Sequence, residues 1–123
     1  MAQDNRFRSA IWRGVMGLGI GMLFTLPTLL LAFISAGGGH GDYLWAKAFF
    51  PYVMCCLIMA DTAGIEMNPW LVTLAFVQFP VYGVLIGVFA STLKKAVAVA
   101  AIIGIVHAAV AALCLSITSK YFS

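Results

Sequence analysis

Few side chains in this chain can do chemistry, and those few fall into two groups. The first lies inside or at the edge of long apolar runs: Asp61, Gln78 and His107. Polar groups at membrane depth are costly to hold, so each such position is a candidate functional site. An imidazole can relay a proton or ligate a metal, and a carboxamide both donates and accepts hydrogen bonds. Asp61, Gln78 and His107 therefore define a possible polar pathway for protons, cations or a small solute. The second group is the loop "GGGHGD", residues 37–42. Its glycines are free to take positive φ and expose backbone N–H groups, so Gly38, Gly39, His40 and Asp42 form a possible contact for an anionic headgroup or a partner.

Each position also has a structural reading. His107 can be a neutral buried imidazole donating one hydrogen bond, with Gln78 as its expected partner. Gln78 can instead serve the kink expected at Pro80, as Thr25 and Thr28 can at Pro27. Asp61 and Glu66 bracket Gly64 and read first as solvated turn residues. The glycine loop lacks the Lys-Ser/Thr ending and strand-to-helix setting of a phosphate loop. A helix stop, a polar connector and the interfacial rings of Tyr43 and Trp45 account for it.

No nucleophile accompanies His40, so no catalytic residues are assigned and the chain reads away from an enzyme. His40 and His107 fall at different depths, which argues against a shared haem. The three cysteines Cys55, Cys56 and Cys114 lie in apolar segments without metal-ligand spacing, and the Met54–Met59 region gives only a weak Cu(I) signal. No metal site and no cofactor are expected.

These side chains are positioned by helices in a bilayer. The chain has 123 residues, of which 63% are hydrophobic and 9% charged; a soluble domain carries about a quarter charged residues. Continuous apolar runs of about 20 residues indicate membrane helices and not the alternating strands of a barrel. The net charge of +3 is dispersed without a basic block, which excludes a nucleic-acid footprint. The fold class expected is an all-α integral membrane protein, a single domain and compact bundle of four transmembrane helices over about 14–36, 46–65, 70–93 and 96–118. The alternative is three spans plus a re-entrant hairpin at 46–65, because Asp61 leaves that segment short of a full crossing. The first run is too long for the apolar part of a signal peptide and reads as a retained span.

Arg6, Arg8 and Arg13 put the N-terminus in the cytoplasm. Four spans then give four cationic residues inside against three outside, with Lys47, Lys94 and Lys95 outside. Three spans give five against two. A multi-pass protein of a bacterial inner membrane is the expected location.

Helices in lipid associate through close backbone approach more than through hydrophobicity. Gly17 and Gly21 in the first segment, Gly83 and Gly87 in the third, and the stripe through Ala100, Gly104 and Ala108 in the fourth are the expected packing faces. The function expected is helix–helix assembly in the membrane, as a homo-oligomer or as an accessory subunit of a larger complex, with lipid and self-association or a larger membrane protein as partners. The alternative is a small oligomeric channel or transporter using Asp61, Gln78 and His107. Assembly alone predicts tolerance of His107→Ala and Asp61→Asn.

Overall fold

A computed structural model describes residues 2–37, 41–66 and 70–117. Gly38, Gly39 and His40 of the candidate headgroup contact lie outside the described residues. The architecture is all-helical: α1 Ala2–Ala36, α2 Leu44–Phe49, α3 Pro51–Thr62, α4 Trp70–Phe89 and α5 Leu93–Ser116, with no strand among the described residues. α1, α4 and α5 are long and apolar enough to cross a membrane.

The segment expected as one helix over 46–65 is two. Pro51 has no N–H to offer the Lys47 carbonyl and its ring clashes with the preceding turn. Phe50 takes φ −125° and ψ 51°, outside the helical region, and α3 restarts with Pro51 at its first position. That leaves 12 residues in α3, about 18 Å of helix against a bilayer core of about 30 Å.

The other helix ends follow local chemistry. Gly37, at φ +52°, ends α1 in the left-handed conformation that glycine adopts at no steric cost. Asp42 then turns the chain into the next element, its Oδ1 accepting from Leu44 N–H at 3.0 Å, with Tyr43 at φ +55° as the N-cap residue. Gly64, at φ +66°, ends α3 in a Schellman arrangement: Ile65 N–H donates to the Ala60 carbonyl at 2.9 Å and Gly64 N–H to Asp61 at 3.1 Å. Thr92 starts α5 by accepting from Lys95 N–H, so Lys94 and Lys95 stand in its first turn.

α1 packs along α4, and α5 lies against α2, α3 and α4. The α1–α4 seam is built by glycine. A Cβ on Gly17 would collide with the Gly83 carbonyl, one on Gly83 with the Gly17 carbonyl, one on Gly21 with Phe79 and one on Gly87 with Arg13. Rising numbers on α1 meet falling numbers on α4, so the two helices are antiparallel. Arg13 closes one end of this seam, its Nε donating to the Gly87 carbonyl at 3.2 Å near the C-terminus of α4, where carbonyls lack helical partners. At the other end a core forms from Ala32, Ala46, Phe50, Val53, Met54, Ile58, Ala75 and Cys114, drawing on all five helices.

The fourth-segment stripe behaves differently. Ala100, Gly104 and Ala108 are exposed, and a Cβ on Gly104 would meet nothing within 4 Å. The packed face of α5 is the one that carries Ile103, His107, Ala111 and Cys114.

α1 and α4 remain helical through Pro27 and Pro80. Thr25 and Thr28 are buried and bond to their own helix, Thr25 Oγ1 to the Gly21 carbonyl and Thr28 Oγ1 to that of Phe24, each at 2.8 Å. Neither takes the Leu23 carbonyl that Pro27 leaves without a donor.

Candidate functional site at the helix break

The break at Phe50–Pro51 sets free the carbonyls that would have continued α2. A carbonyl removed from both helix and water needs a donor, since an unpaired one buried in an apolar setting costs about 1–3 kcal/mol. Two side chains from other helices meet that need. Gln78 Nε2 on α4 donates to the Phe49 carbonyl at 2.7 Å. His107 Nε2 on α5 lies 2.8 Å from the Ala48 carbonyl.

The second contact assigns the imidazole tautomer. A carbonyl only accepts, so Nε2 carries the proton, and in the neutral ring Nδ1 is then an acceptor. Its partner is the hydroxyl of Tyr82, 3.0 Å away, which donates. Both ring nitrogens are thereby used, and the ring sits among Tyr52, Phe79 and Tyr82, with centroids 6.2, 6.4 and 5.8 Å from its own. Phe50 meets Phe79 edge-on at 5.6 Å and completes the packing under the break.

The hydrogen bond expected between His107 and Gln78 is replaced by this arrangement. The two residues take consecutive carbonyls instead, and Gln78 serves the Pro51 break in place of the Pro80 kink. Gln78 is 9% exposed. Its Oε1 is the buried side-chain polar atom left without a hydrogen-bond partner among the described residues.

Asp61 does not join the other two candidates. It stands in the last turn of α3, half-buried, and its backbone carbonyl closes the helix end. Glu66 is exposed beyond Gly64. Asp42 accepts from Leu44 N–H in a local turn ahead of α2. Of the packing residues, Gly17, Gly21, Gly83 and Gly87 lie at the α1–α4 seam, whereas Ala100, Gly104 and Ala108 face outward.

Two features of the site escaped sequence reasoning, and a third was visible in the sequence. Tyr52 and Tyr82 read as ordinary apolar-run aromatics, and only the fold brings them to His107. Lys47, expected outside the membrane, is 6% exposed on α2. Pro51, the cause of the break, was legible in "FFPY" as a proline inside an apolar run.

The cysteines pack as core residues do. Cys114 is fully buried, and Cys55 Sγ points to the Val110 carbonyl at 4.0 Å. Met54 is buried while Met59 is exposed, so they do not converge, and no cluster of three or more His, Cys, Asp or Glu suited to a metal occurs among the described residues.

Compared with known proteins, the chain matches no family model, no curated protein and no solved structure.

Proposed function

We propose that this is a small membrane protein that acts by helix–helix assembly, with α5 presenting the docking face to a second copy or a larger membrane protein. The observation that carries this reading is the contrast between two small-residue surfaces. Gly17 and Gly21 of α1 and Gly83 and Gly87 of α4 are consumed by the seam, while Ala100, Gly104 and Ala108 are exposed and a Cβ on Gly104 would meet nothing within 4 Å. Only 11% of the most apolar 18-residue stretch of α5 is buried within the chain. A face that lets backbones approach closely is the feature that drives helix association in lipid.

The accompanying topology has three crossings, α1, α4 and α5, with residues 44–62 entering and leaving on one side as a re-entrant hairpin. Antiparallel α1 and α4 support this, because a full crossing between them would make them parallel. So does the packing of both α2, before the break, and α3, after it, against α5. Non-helical backbone at membrane depth is tolerated where protein covers it, as Gln78 and His107 do here. Arg6, Arg8, Arg13, Lys94 and Lys95 then share one end, which fits the cytoplasmic side of an inner membrane.

The test is the mass of the protein extracted at native expression level into lipid nanodiscs. The reading expects a defined oligomer or a reproducible larger partner, lost in Gly104→Leu. A monomer with no partner sinks it. The transport reading draws on the helix break and the unpartnered Gln78 Oε1, and liposome flux that collapses in Gln78 variants with assembly intact would replace the first proposal.

A further inference from the structure

The cations of this chain collect at one end of the α1–α4 seam. Antiparallel pairing sets the start of α1 beside the end of α4, and after a link of only Ala90 to Thr92, α5 begins with Lys94 and Lys95 in its first turn. Arg6, Arg8, Lys94 and Lys95 are exposed, and Arg13 is half-buried. Of the chain's four acidic residues, Asp42, Asp61 and Glu66 fall in the sequence between the other ends of α1 and α4, which leaves Asp4 against five cations.

Arg13 also lines a groove of about 270 Å³ along the seam, with Met16, Gly17 and Ile20 of α1 and Ile86 and Gly87 of α4. The glycines that let the backbones meet leave its floor without side chains, and Met16 and Ile20 are exposed along its rim, so it opens to lipid. Ile20 lies about 10 Å beyond Arg13 along α1. Trp12, beside Arg13, is exposed where the apolar run begins, the level at which indole rings meet head groups. A guanidinium has five N–H donors. That of Arg13 gives one to the Gly87 carbonyl and one to Ser9 Oγ, each at 3.2 Å, and the rest have no partner among the described residues.

We propose that an anionic phospholipid binds this groove, its phosphate on the remaining N–H groups of Arg13 and one acyl chain over Gly17 and Gly87. A guanidinium fork fits phosphate oxygens, and the surrounding cations favour a net-negative head group over a zwitterionic one. A floor without side chains takes an acyl chain, which needs no hydrogen bond. A second copy in the same orientation brings the same five cations to this end, so charge opposes self-association here. The site lies on α1 and α4, away from the open face of α5, so it is independent of the assembly reading.

The experiment is photo-crosslinking of the full chain in phosphatidylcholine nanodiscs with phosphatidylglycerol carrying a diazirine on one acyl chain, followed by peptide mapping. Labelling of segments 13–20 and 83–87 is expected to saturate, and to be displaced by unlabelled phosphatidylglycerol but not by added phosphatidylcholine. Arg13→Gln should weaken it about tenfold, comparable to losing roughly one hydrogen bond to a charged group. Ile20→Trp, at an exposed position, fills the groove from the lipid side. It should weaken labelling as much while the melting temperature holds, which separates loss of the site from loss of the fold. Gly104→Leu should leave labelling unchanged. Labelling that rises linearly with probe, that phosphatidylcholine displaces equally well, or that survives either variant would overturn the proposal. So would an unlabelled seam whose Ile20→Cys variant, in a cysteine-free background, forms disulfide-linked dimers in the same nanodiscs, since a second copy would then fill the groove.

Discussion

Gln78 and His107 stand on different helices and do not bond to each other, yet they end on consecutive carbonyls, Phe49 and Ala48, at 2.7 and 2.8 Å. The two polar residues deepest in the apolar runs thus act together on one backbone defect. Their chemistry follows from Pro51: where the ladder of helical hydrogen bonds stops, side-chain donors from outside replace it.

His107→Ala removes a donor from the Ala48 carbonyl and an acceptor from the Tyr82 hydroxyl. A loss of about 1–3 kcal/mol is expected, read as a lowered unfolding midpoint in detergent. This revises the expectation that His107→Ala is silent. Asp61→Asn, which touches no such network, should stay within about 0.5 kcal/mol of the parent, as surface substitutions do.

Gln78→Glu should be worse than Gln78→Leu. The glutamate sets an acceptor against the Phe49 carbonyl and carries charge into an apolar setting, whereas leucine only leaves the carbonyl unpaired. A Gln78→Leu variant as stable as the parent would show that the Gln78 bond does not hold the break.

Gly83→Ala and Gly104→Leu separate the two small-residue faces. At Gly83 a methyl group meets the backbone of Gly17, so α1 and α4 must part, at about 1–3 kcal/mol for overpacking. At Gly104 the side chain enters open space, and the monomer should keep its melting temperature while its association is lost. A Gly83→Ala variant as stable as the parent would contradict the seam.

Asp42→Cys and Glu66→Cys, each in a cysteine-free background, should react with a membrane-impermeant maleimide from the same side. Four full crossings would put these positions on opposite sides. Labelling of intact cells before and after permeabilisation distinguishes the two outcomes.

Much of this was legible in the sequence. Continuous apolar runs with 9% charged residues dictate helices in a bilayer, since only internal hydrogen bonding satisfies a backbone there. Glycine spacing marked Gly17, Gly21, Gly83 and Gly87 as able to let backbones touch, because the missing Cβ is a property of the residue alone. Gly64 marked a helix end for the same reason. Which small faces meet is a different kind of fact. Spacing ranked the α5 stripe beside the others, and only the tertiary structure pairs α1 with α4 and leaves Gly104 facing outward. The partners of His107 and Gln78 were likewise out of reach, since a side chain's donor capacity is local while the carbonyl it meets lies 59 and 29 residues away. Segment 46–65 lies between these cases: its proline was visible, but its fate as two helices required the packing that covers the break.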